Sequence, residues 1–238
     1  MLERNNIYLG DSYELIKEIP DKSIDLIVID PPYQIDGKPK SKEALENTKN
    51  EITKGINKLN QELMDNHICD GIKEEIFEEF IYIWCNRKQI PMYLNYFVNK
   101  LHLNFEILVW NKPNVMPLYN HQYLNDVEYC LYFRGANVCN PKCYDDARTV
   151  FKNPTNKIDK FAFHHPTCKP VNIIEKLIKN SSKENDLVLD CFLGSGTTAV
   201  ACKNLNRDYI GIEINPKWYK IALDRLDGCD ANGQQSFI

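Results

Sequence analysis

The chain has 238 residues, of which 43% are apolar and 26% are charged, and its formal net charge is −4. This composition is typical of a globular protein and does not by itself single out a nucleic-acid binder. No apolar stretch is long enough to span a bilayer, and the first residues lack a basic segment followed by an apolar one. We therefore expect a cytoplasmic protein.

In chain order, short apolar strands alternate with helical patterns. Strands are predicted at residues 7–9, 24–29, 81–85, 105–110, 128–133, 187–191 and 208–212. Helices are predicted at residues 13–19, 72–80, 87–101, 171–178, 197–205 and 216–226. Pro170 is a suitable residue to open the fourth helix, and Asn215 with Pro216 caps the last. The alternation predicts one α/β domain, residues 1–238, with a largely parallel sheet.

Two polar segments interrupt this pattern. Residues 34–60 carry six Lys against four acidic residues, and residues 134–170 carry seven Lys and Arg against three Asp. The first segment is predicted to be a loop with some helix, and residues 134–164 are predicted to be irregular. On charge alone, a local patch for a polyanion and two solvated loops are equally compatible with these counts.

The nine cysteines, an odd number, are scattered along the chain. Four of them, Cys85, Cys130, Cys191 and Cys202, lie in apolar segments, which predicts buried free thiols in a reducing compartment. The C-x3-C pair that begins at Cys139 is loosely spaced and no second pair follows it, so no metal site is predicted.

Residues 186–213, DLVLDCFLGSGTTAVACKNLNRDYIGIE, read as strand, glycine turn, helix and strand, ending on an acid. Gly194, Gly196 and Ala199 fit the form G-x-G-x-x-A, and Glu213 follows Gly196 by 17 residues. Glycines let the backbone approach a ligand closely, and a carboxylate at this spacing accepts two ribose hydroxyls. The segment predicts an adenosine cofactor, with NAD and S-adenosylmethionine both open. A tight strand–helix turn without a ligand is the alternative.

The tetrapeptide Asp30-Pro31-Pro32-Tyr33 follows a nearly continuous apolar strand. An exocyclic amine on a base is a poor nucleophile, because its lone pair is delocalised into the ring. Acceptors that hold both N–H hydrogens free the lone pair, and Asp30 with the Pro31 carbonyl supplies two. Prolines fix the backbone and donate no N–H, while Tyr33 offers a face on which a flipped base can stack. A strand stopped by proline, with a turn aspartate, is the alternative.

These motifs resemble those of the DNA amino-methyltransferases, which form N6-methyladenine or N4-methylcytosine. DPPY is similar to the catalytic motif of that family, and DCFLGSGTT to its cofactor motif, with Cys191 where proline is common. DPPY precedes the glycine motif, which is the circularly permuted order of the family's β group. The resemblance implies a Rossmann-like sheet of seven strands, mostly parallel with one antiparallel, and S-adenosylmethionine as cofactor.

Shorter segments extend the resemblance over nearly the whole chain. Asp11 lies in a short N-terminal motif whose acid contacts the adenine of the cofactor, although D-x-x-E also fits a helix-capping box. Residues 110–114, WNKPN, and Glu128, where Val127 replaces a histidine, resemble two further family segments. Residues 165–170, HPTCKP, resemble a segment beside the methionine end of the cofactor. There Lys169 is expected to pair with the cofactor carboxylate, or alternatively to be an exposed lysine in a capping turn.

The predicted site residues form three groups. The catalytic group is Asp30, Pro31, Pro32 and Tyr33. The cofactor group is Asp11, Lys169, Asp190, Phe192, Gly194, Ser195, Gly196, Thr197, Thr198 and Glu213. The DNA-binding group is Lys38, Lys40, Lys142, Arg148 and Lys152, because residues 134–164 occupy the position of the family's target-recognition region and residues 34–60 follow the catalytic motif.

The resemblance implies a site-specific methyltransferase that acts on duplex DNA. In this family Asp at the first position of the tetrapeptide generally goes with adenine and Ser with cytosine, so Asp30 favours adenine N6. Cytosine N4 methylation, an NAD-dependent oxidoreductase and an inactive DNA-binding subunit of the same fold are the alternatives. A homodimer and a restriction endonuclease partner remain open, and no membrane association is expected.

Overall fold

The computed structural model describes residues 1–20, 22–31, 80–116, 123–155, 157–163 and 168–229. Within these residues the chain forms one eight-stranded sheet with the order β1-β8-β7-β2-β3-β5-β4-β6. The strands are β1 (Asn6–Leu9), β2 (Leu26–Ile29), β3 (Phe80–Cys85), β4 (Asn104–Asn111), β5 (Val127–Arg134), β6 (Val150–Lys152), β7 (Leu187–Asp190) and β8 (Asp208–Glu213).

The sheet is parallel except for one strand. β5 is antiparallel to both of its neighbours, β3 and β4, and all other pairs are parallel. The mostly parallel α/β fold with one antiparallel strand is therefore confirmed. The count of seven strands is wrong by one, because β6 adds to the outer edge beside β4. β6 has three residues and only Phe151 is buried among them, so it gives too short a pattern to be found by alternation.

The described helices are α1 (Ser12–Leu15), α2 (Ile90–Leu94), α3 (Lys157–Ala162), α4 (Val171–Ser181), α5 (Thr197–Asn204) and α6 (Pro216–Leu226). A single 3-10 turn, Ile16–Glu18, extends α1, and α2 continues as a π-helix, Asn95–Lys100. Asn215 caps α6 as predicted, since its side chain accepts a hydrogen bond from the Lys217 N–H.

Three predicted segments either need correction or lie outside the described residues. Residues 134–164 are not wholly irregular, because they contain β6 and α3. The predicted helix at 72–80 lies outside the described residues except for Phe80, which begins β3. The segment 34–60 also lies outside them. The buried state of the free thiols Cys85, Cys130, Cys191 and Cys202 is confirmed.

β2 shows why its sequence is almost entirely apolar. Ile27 and Ile29 belong to the core on one face of the sheet, which α2 and its π-helical extension cover. Leu26 and Val28 belong to the core on the other face, which α4 and α5 cover. Because both faces of this central strand are buried, every residue of β2 must be apolar.

The carboxyl ends of the parallel strands bring several acids to one edge of the sheet. Asp11 follows β1, Asp30 follows β2, Asp190 ends β7 and Glu213 ends β8. The reversed direction of β5 brings its first residues, including Glu128, to the same edge, where Tyr129 pairs with Cys85. Ligands of open α/β sheets bind at this edge. No helix in the described part of the chain is long and apolar enough to cross a membrane.

Candidate active site

A cavity of about 390 Å³ opens at the carboxyl edge of the sheet, between β1, β2, β7 and β8. This volume is within the range of small-molecule sites, roughly 300–1,000 Å³. Of the predicted residues, those that line it are Asp11, Asp30, Lys169, Asp190, Phe192, Gly194, Ser195, Thr197, Thr198 and Glu213. The fold therefore places the predicted cofactor residues, apart from Gly196, around the same cavity as Asp30, the predicted catalytic acid.

Two glycines shape the turn between β7 and α5. Gly194 and Gly196 have φ angles of 56° and 83°, in the left-handed region that side chains avoid. A Cβ atom on Gly196 would lie 3.0 Å from the Cβ of Ala222 in α6. The turn thus needs glycine at Gly196 for its backbone conformation and also for the close approach of α6.

Asp190, at the end of β7, stabilises the same turn through two hydrogen bonds. Its carboxylate accepts a hydrogen bond from the Thr198 hydroxyl at 2.6 Å and one from the Phe192 N–H at 2.9 Å. Burial raises the pKa of Asp190 to about 7. These contacts fix both ends of the turn, so Asp190 supports the cavity wall whether or not it also contacts a ligand.

Glu213 holds the turn from the side of β8. Its two carboxylate oxygens accept the N–H groups of Gly194 at 2.7 Å and Asn215 at 2.8 Å. Burial raises the pKa of Glu213, although these backbone donors oppose the rise. Each carboxylate oxygen has a second lone pair, so the fixed carboxylate can also accept hydroxyl groups of a ligand.

Asp11 caps a helix and also lines the cavity, and its predicted contact with the cofactor adenine stays a prediction. It is the N-cap of α1, where its Oδ1 atom accepts the Tyr13 N–H at 2.9 Å. Glu14 pairs with Lys17 at 2.8 Å, so the capping contact rests on Asp11. The exposed Asp11 also lines the cavity, where it remains available to a ligand.

Lys169 is not the exposed lysine of a capping turn. Its side chain is only 5% exposed, and its ammonium group donates to Oδ2 of Asp30 and lies 3.2 Å from Oε2 of Glu128. Burial alone would lower the pKa of Lys169, but the attraction of Asp30 and Glu128 outweighs burial and the pKa is raised. The predicted contact of Lys169 with a cofactor carboxylate stays a prediction.

Only the first half of the predicted catalytic tetrapeptide belongs to the described residues. Asp30 and Pro31 are described, and the Asp30 carboxylate faces the cavity. Pro32, Tyr33, Lys38 and Lys40 lie outside the described residues. The acceptor role of Asp30 and the stacking role of Tyr33 both stay predictions.

The remaining predicted DNA-binding residues, Lys142, Arg148 and Lys152, are all exposed. Arg148 and Lys152 line a second cavity of about 740 Å³, formed where β6 meets α4. The Arg148 guanidinium lies 5.2 Å from the ring centre of Tyr144, which also lines this cavity. Their arrangement gives a basic, aromatic surface, but Lys142 does not line the cavity.

Arg225 is a buried residue that supports the cavity wall through Ser195 and Thr197, and sequence reasoning missed it. From α6 it donates to the Thr197 hydroxyl at 2.9 Å and to the Ser195 carbonyl at 3.3 Å. Its other nitrogen pairs with Asp159 of α3 at 2.7 Å, and the guanidinium lies over the ring of Phe163. Arginine at a helix position is usually solvated, so the sequence contained no sign of this contact.

Comparison with known proteins gives a consistent family assignment. The sequence profile of the N6/N4 methyltransferase family, described as DNA methylase, matches residues 24–224. The chain is 27% identical to the type II methyltransferase M1.MboII of Moraxella bovis, over 98% of this chain and 100% of that protein. It is 30% identical to the type II methyltransferase M2.LlaDCHI of Lactococcus lactis subsp. cremoris, over 94% of this chain and 91% of that protein.

A solved structure shows the same fold. The crystal structure of the M1.HpyAVI–SAM complex superposes with a TM-score of 0.67 at 27% sequence identity. The superposition covers 92% of this chain and 98% of that chain.

Proposed function

Because this chain belongs to the N6/N4 DNA methylase family, we propose that it transfers a methyl group from S-adenosylmethionine to the exocyclic N6 of a flipped adenine in duplex DNA. One observation carries the proposal. The carboxylate of Asp30 lies in the same cavity as the glycine turn and Glu213. An acceptor for an amine and a site for an adenosine group are therefore adjacent.

The residues present fit S-adenosylmethionine. The buried Glu213 carboxylate, fixed by two backbone N–H groups, suits a pair of ribose hydroxyls, and the glycine turn leaves room beside it. Asp11 is an exposed acceptor that lines the same cavity, where it suits an adenine amino group. When bound, S-adenosylmethionine supplies an electrophilic methyl group on a sulfonium.

Asp30 acts on the nucleophile. Its carboxylate and the Pro31 carbonyl accept the two N–H hydrogens of the amine, which draws the nitrogen lone pair out of conjugation with the ring. With the cofactor bound, the nitrogen would attack the methyl carbon as the methyl–sulfur bond breaks and the sulfur leaves as a neutral thioether. The nitrogen would become cationic and would release one N–H proton to solvent to return to neutrality. A fixed negative carboxylate beside a nitrogen that becomes positive lowers the barrier by electrostatic stabilisation.

Residues 134–164 supply the proposed DNA contacts. Arg148 and Lys152 present positive charge on one surface, and Lys142 adds a third exposed cation. Arg reads guanine edges and positions phosphates, whereas Lys mainly positions phosphates. Lys38 and Lys40, in the segment after the catalytic motif, are proposed to contact DNA as well. A second copy of the chain and a restriction endonuclease are further partners that remain to be sought.

The family leaves two bases open, and the choice of adenine rests on Asp30. In the resembling enzymes Asp at this position generally accompanies adenine, and Ser accompanies cytosine. An NAD-dependent oxidoreductase lies outside this family and gives Asp30 no task. An inactive DNA-binding subunit is disfavoured because Asp30 and Pro31, the described half of the catalytic motif, are intact.

The experiment is direct. Purified protein is incubated with S-adenosylmethionine and unmethylated duplex DNA of mixed sequence, and the digested nucleosides are analysed by mass spectrometry. N6-methyldeoxyadenosine is the expected product. N4-methyldeoxycytidine would overturn the choice of base, and the absence of any methylated nucleoside would overturn the proposal. The Asp30→Ala variant should bind the cofactor normally and give no product.

A further inference from the structure

A row of four charged side chains extends inward from the active-site cavity. Asp30 follows β2, Lys169 precedes α4, Glu128 lies at the start of β5 and Lys112 follows β4. Lys169 donates to Asp30 and contacts Glu128 at 3.2 Å, and Lys112 donates to the other oxygen of Glu128. Charges of opposite sign therefore alternate along the row, which ends at the proposed catalytic acid.

Two tryptophan rings pack against the two lysines of the row. The Lys169 ammonium lies 5.2 Å from the ring centre of Trp84, and the Lys112 ammonium lies 4.6 Å from that of Trp110. The two rings meet edge to face, with 6.3 Å between their centres. Aromatic rings attract cations, so both lysines are held in place by the tryptophan rings as well as by the carboxylates.

The interior of the row is largely removed from water. The exposed fraction of the side chain is 26% for Asp30, 5% for Lys169, 20% for Glu128 and 12% for Lys112. Burial raises the pKa of Glu128, but the two lysines outweigh burial and the pKa is lowered. Both Lys169 and Glu128 thus carry their charges at neutral pH, and in this poorly screened site each charge acts strongly on its neighbour.

Lys169 on its own presents a difficulty for the proposed reaction. Its ammonium orients the Asp30 carboxylate, but its positive charge lies close to a nitrogen that becomes positive as it accepts the methyl group. Like charges at short range oppose one another, so an uncompensated lysine would raise the barrier. Glu128 contacts Lys169 at 3.2 Å but is not among the residues that line the cavity, so its negative charge can offset that effect from behind the lysine.

We propose that Glu128 is a positioning residue for methyl transfer, which holds Lys169 against Asp30 and offsets the lysine charge. This inference rests on the proposed function. It also assigns a task to the segments around Lys112 and Glu128. These two residues are 16 apart in the chain, whereas Asp30 and Lys169 are 139 apart, and all four meet at one edge of the sheet.

The test is Glu128→Gln, which keeps the shape of the side chain and an acceptor oxygen but removes the charge. Glu106→Gln is the matched control, since Glu106 undergoes the same change on the neighbouring strand β4 and its side chain is exposed. For each protein kcat is measured at saturating S-adenosylmethionine and DNA, together with the two dissociation constants and the melting temperature. The titration of the Lys169 ammonium is followed separately by NMR without substrates.

We expect Glu128→Gln to lower kcat by about tenfold or more, since loss of a directly contacting stabilising group costs about 10²- to 10³-fold and Glu128 acts one contact further away. Both dissociation constants should stay within about twofold of wild type, and Glu106→Gln should leave kcat unchanged. The Lys169 ammonium should lose its proton at lower pH in Glu128→Gln than in wild type.

Three results would overturn the inference. One is a Glu128→Gln enzyme with wild-type kcat, and another is an unchanged titration of Lys169. The third is a Glu128→Gln enzyme in which kcat, cofactor affinity and melting temperature all fall together, which would show a structural role. Failure of the proposed function is recognised separately, because the wild-type protein would then methylate no DNA while the lysine titration would still respond to Glu128→Gln.

Discussion

Replacing Gly196 by alanine should destabilise the protein through two separable effects. The φ angle of 83° places this residue in the left-handed region, where a side chain costs about 1–2 kcal/mol. The new Cβ would also lie 3.0 Å from Cβ and 3.1 Å from Cα of Ala222, and overpacking of this kind typically costs about 1–3 kcal/mol. Together these effects predict a loss of about 3 kcal/mol in the free energy of unfolding.

The chain offers a control that isolates the packing effect. Gly228 has a φ angle of 79°, and no described atom lies within 4 Å of a Cβ built on it. Gly228→Ala should therefore lose only the conformational part, about 1–2 kcal/mol. For a chain of this length, 1 kcal/mol corresponds to roughly 2–4 °C in melting temperature. Gly196→Ala should melt roughly 6–12 °C below wild type, and Gly228→Ala roughly 2–8 °C below.

Thermal unfolding followed by circular dichroism, with urea unfolding for the free energies, measures both variants. S-adenosylmethionine should raise the melting temperature of wild type and Gly228→Ala by mass action, and should raise that of Gly196→Ala less because the distorted turn binds it poorly. Equal losses of stability in the two variants would show that the contact with Ala222 relaxes freely, and the reasoning from close approach would then be wrong.

Three further predictions concern titration, a buried ion pair and DNA. Because burial raises the pKa of Asp190 to about 7 from an ordinary 3.8, the folded state holds this proton where the unfolded state has released it. The free energy of unfolding should therefore fall as pH rises between these values, and Asp190→Asn should reduce that fall when urea unfolding is compared at about pH 5 and about pH 8. Arg225→Met leaves the Asp159 carboxylate, whose side chain is 14% exposed, without its cation and should cost about 3–5 kcal/mol in urea unfolding. Arg4→Met breaks the exposed pair with Asp208 and should cost less than about 1 kcal/mol. Equal losses of stability in Arg4→Met and Arg225→Met would contradict the reasoning that burial makes the Arg225 pair more important. Arg148→Ala and Lys152→Ala should each weaken DNA binding and reduce the slope of log affinity against log salt by about 0.9 in fluorescence anisotropy, and an unchanged slope would exclude a phosphate contact.

The ends of the parallel strands were the most predictable part of the molecule. Asp30, Asp190 and Glu213 each follow or end a short apolar run, and parallel strands bring such residues to one edge irrespective of their distance along the chain. The N-cap of α6 by Asn215 was predictable for a similar reason, because a cap needs only local sequence.

The contacts between side chains at that edge were not predictable. Lys169 and Asp30 are 139 residues apart, and the sequence gives no reason to prefer this partner over a cofactor carboxylate. Arg225 and Asp159 are 66 residues apart, and their burial depends on how α6 packs against α3. The strand β6 was missed because three residues with a single buried side chain carry almost no periodic signal.

The order of strands in the sheet also determines when this protein becomes active during its synthesis. β2 is a central strand whose parallel neighbour β7 lies on the far part of the chain, and Asp25 contacts the Leu187 backbone across 162 residues. At the usual elongation rate of about 5–20 residues per second, a newly made β2 waits roughly ten to thirty seconds for that partner. During that time the face of β2 that α4 and α5 later cover remains exposed, which is a hazard for aggregation. The same delay means that Asp30, the proposed catalytic acid, is made early, whereas the part of the cavity wall between β7 and α6 is made late. We expect a chain released early from the ribosome to lack that part of the wall and to modify no DNA.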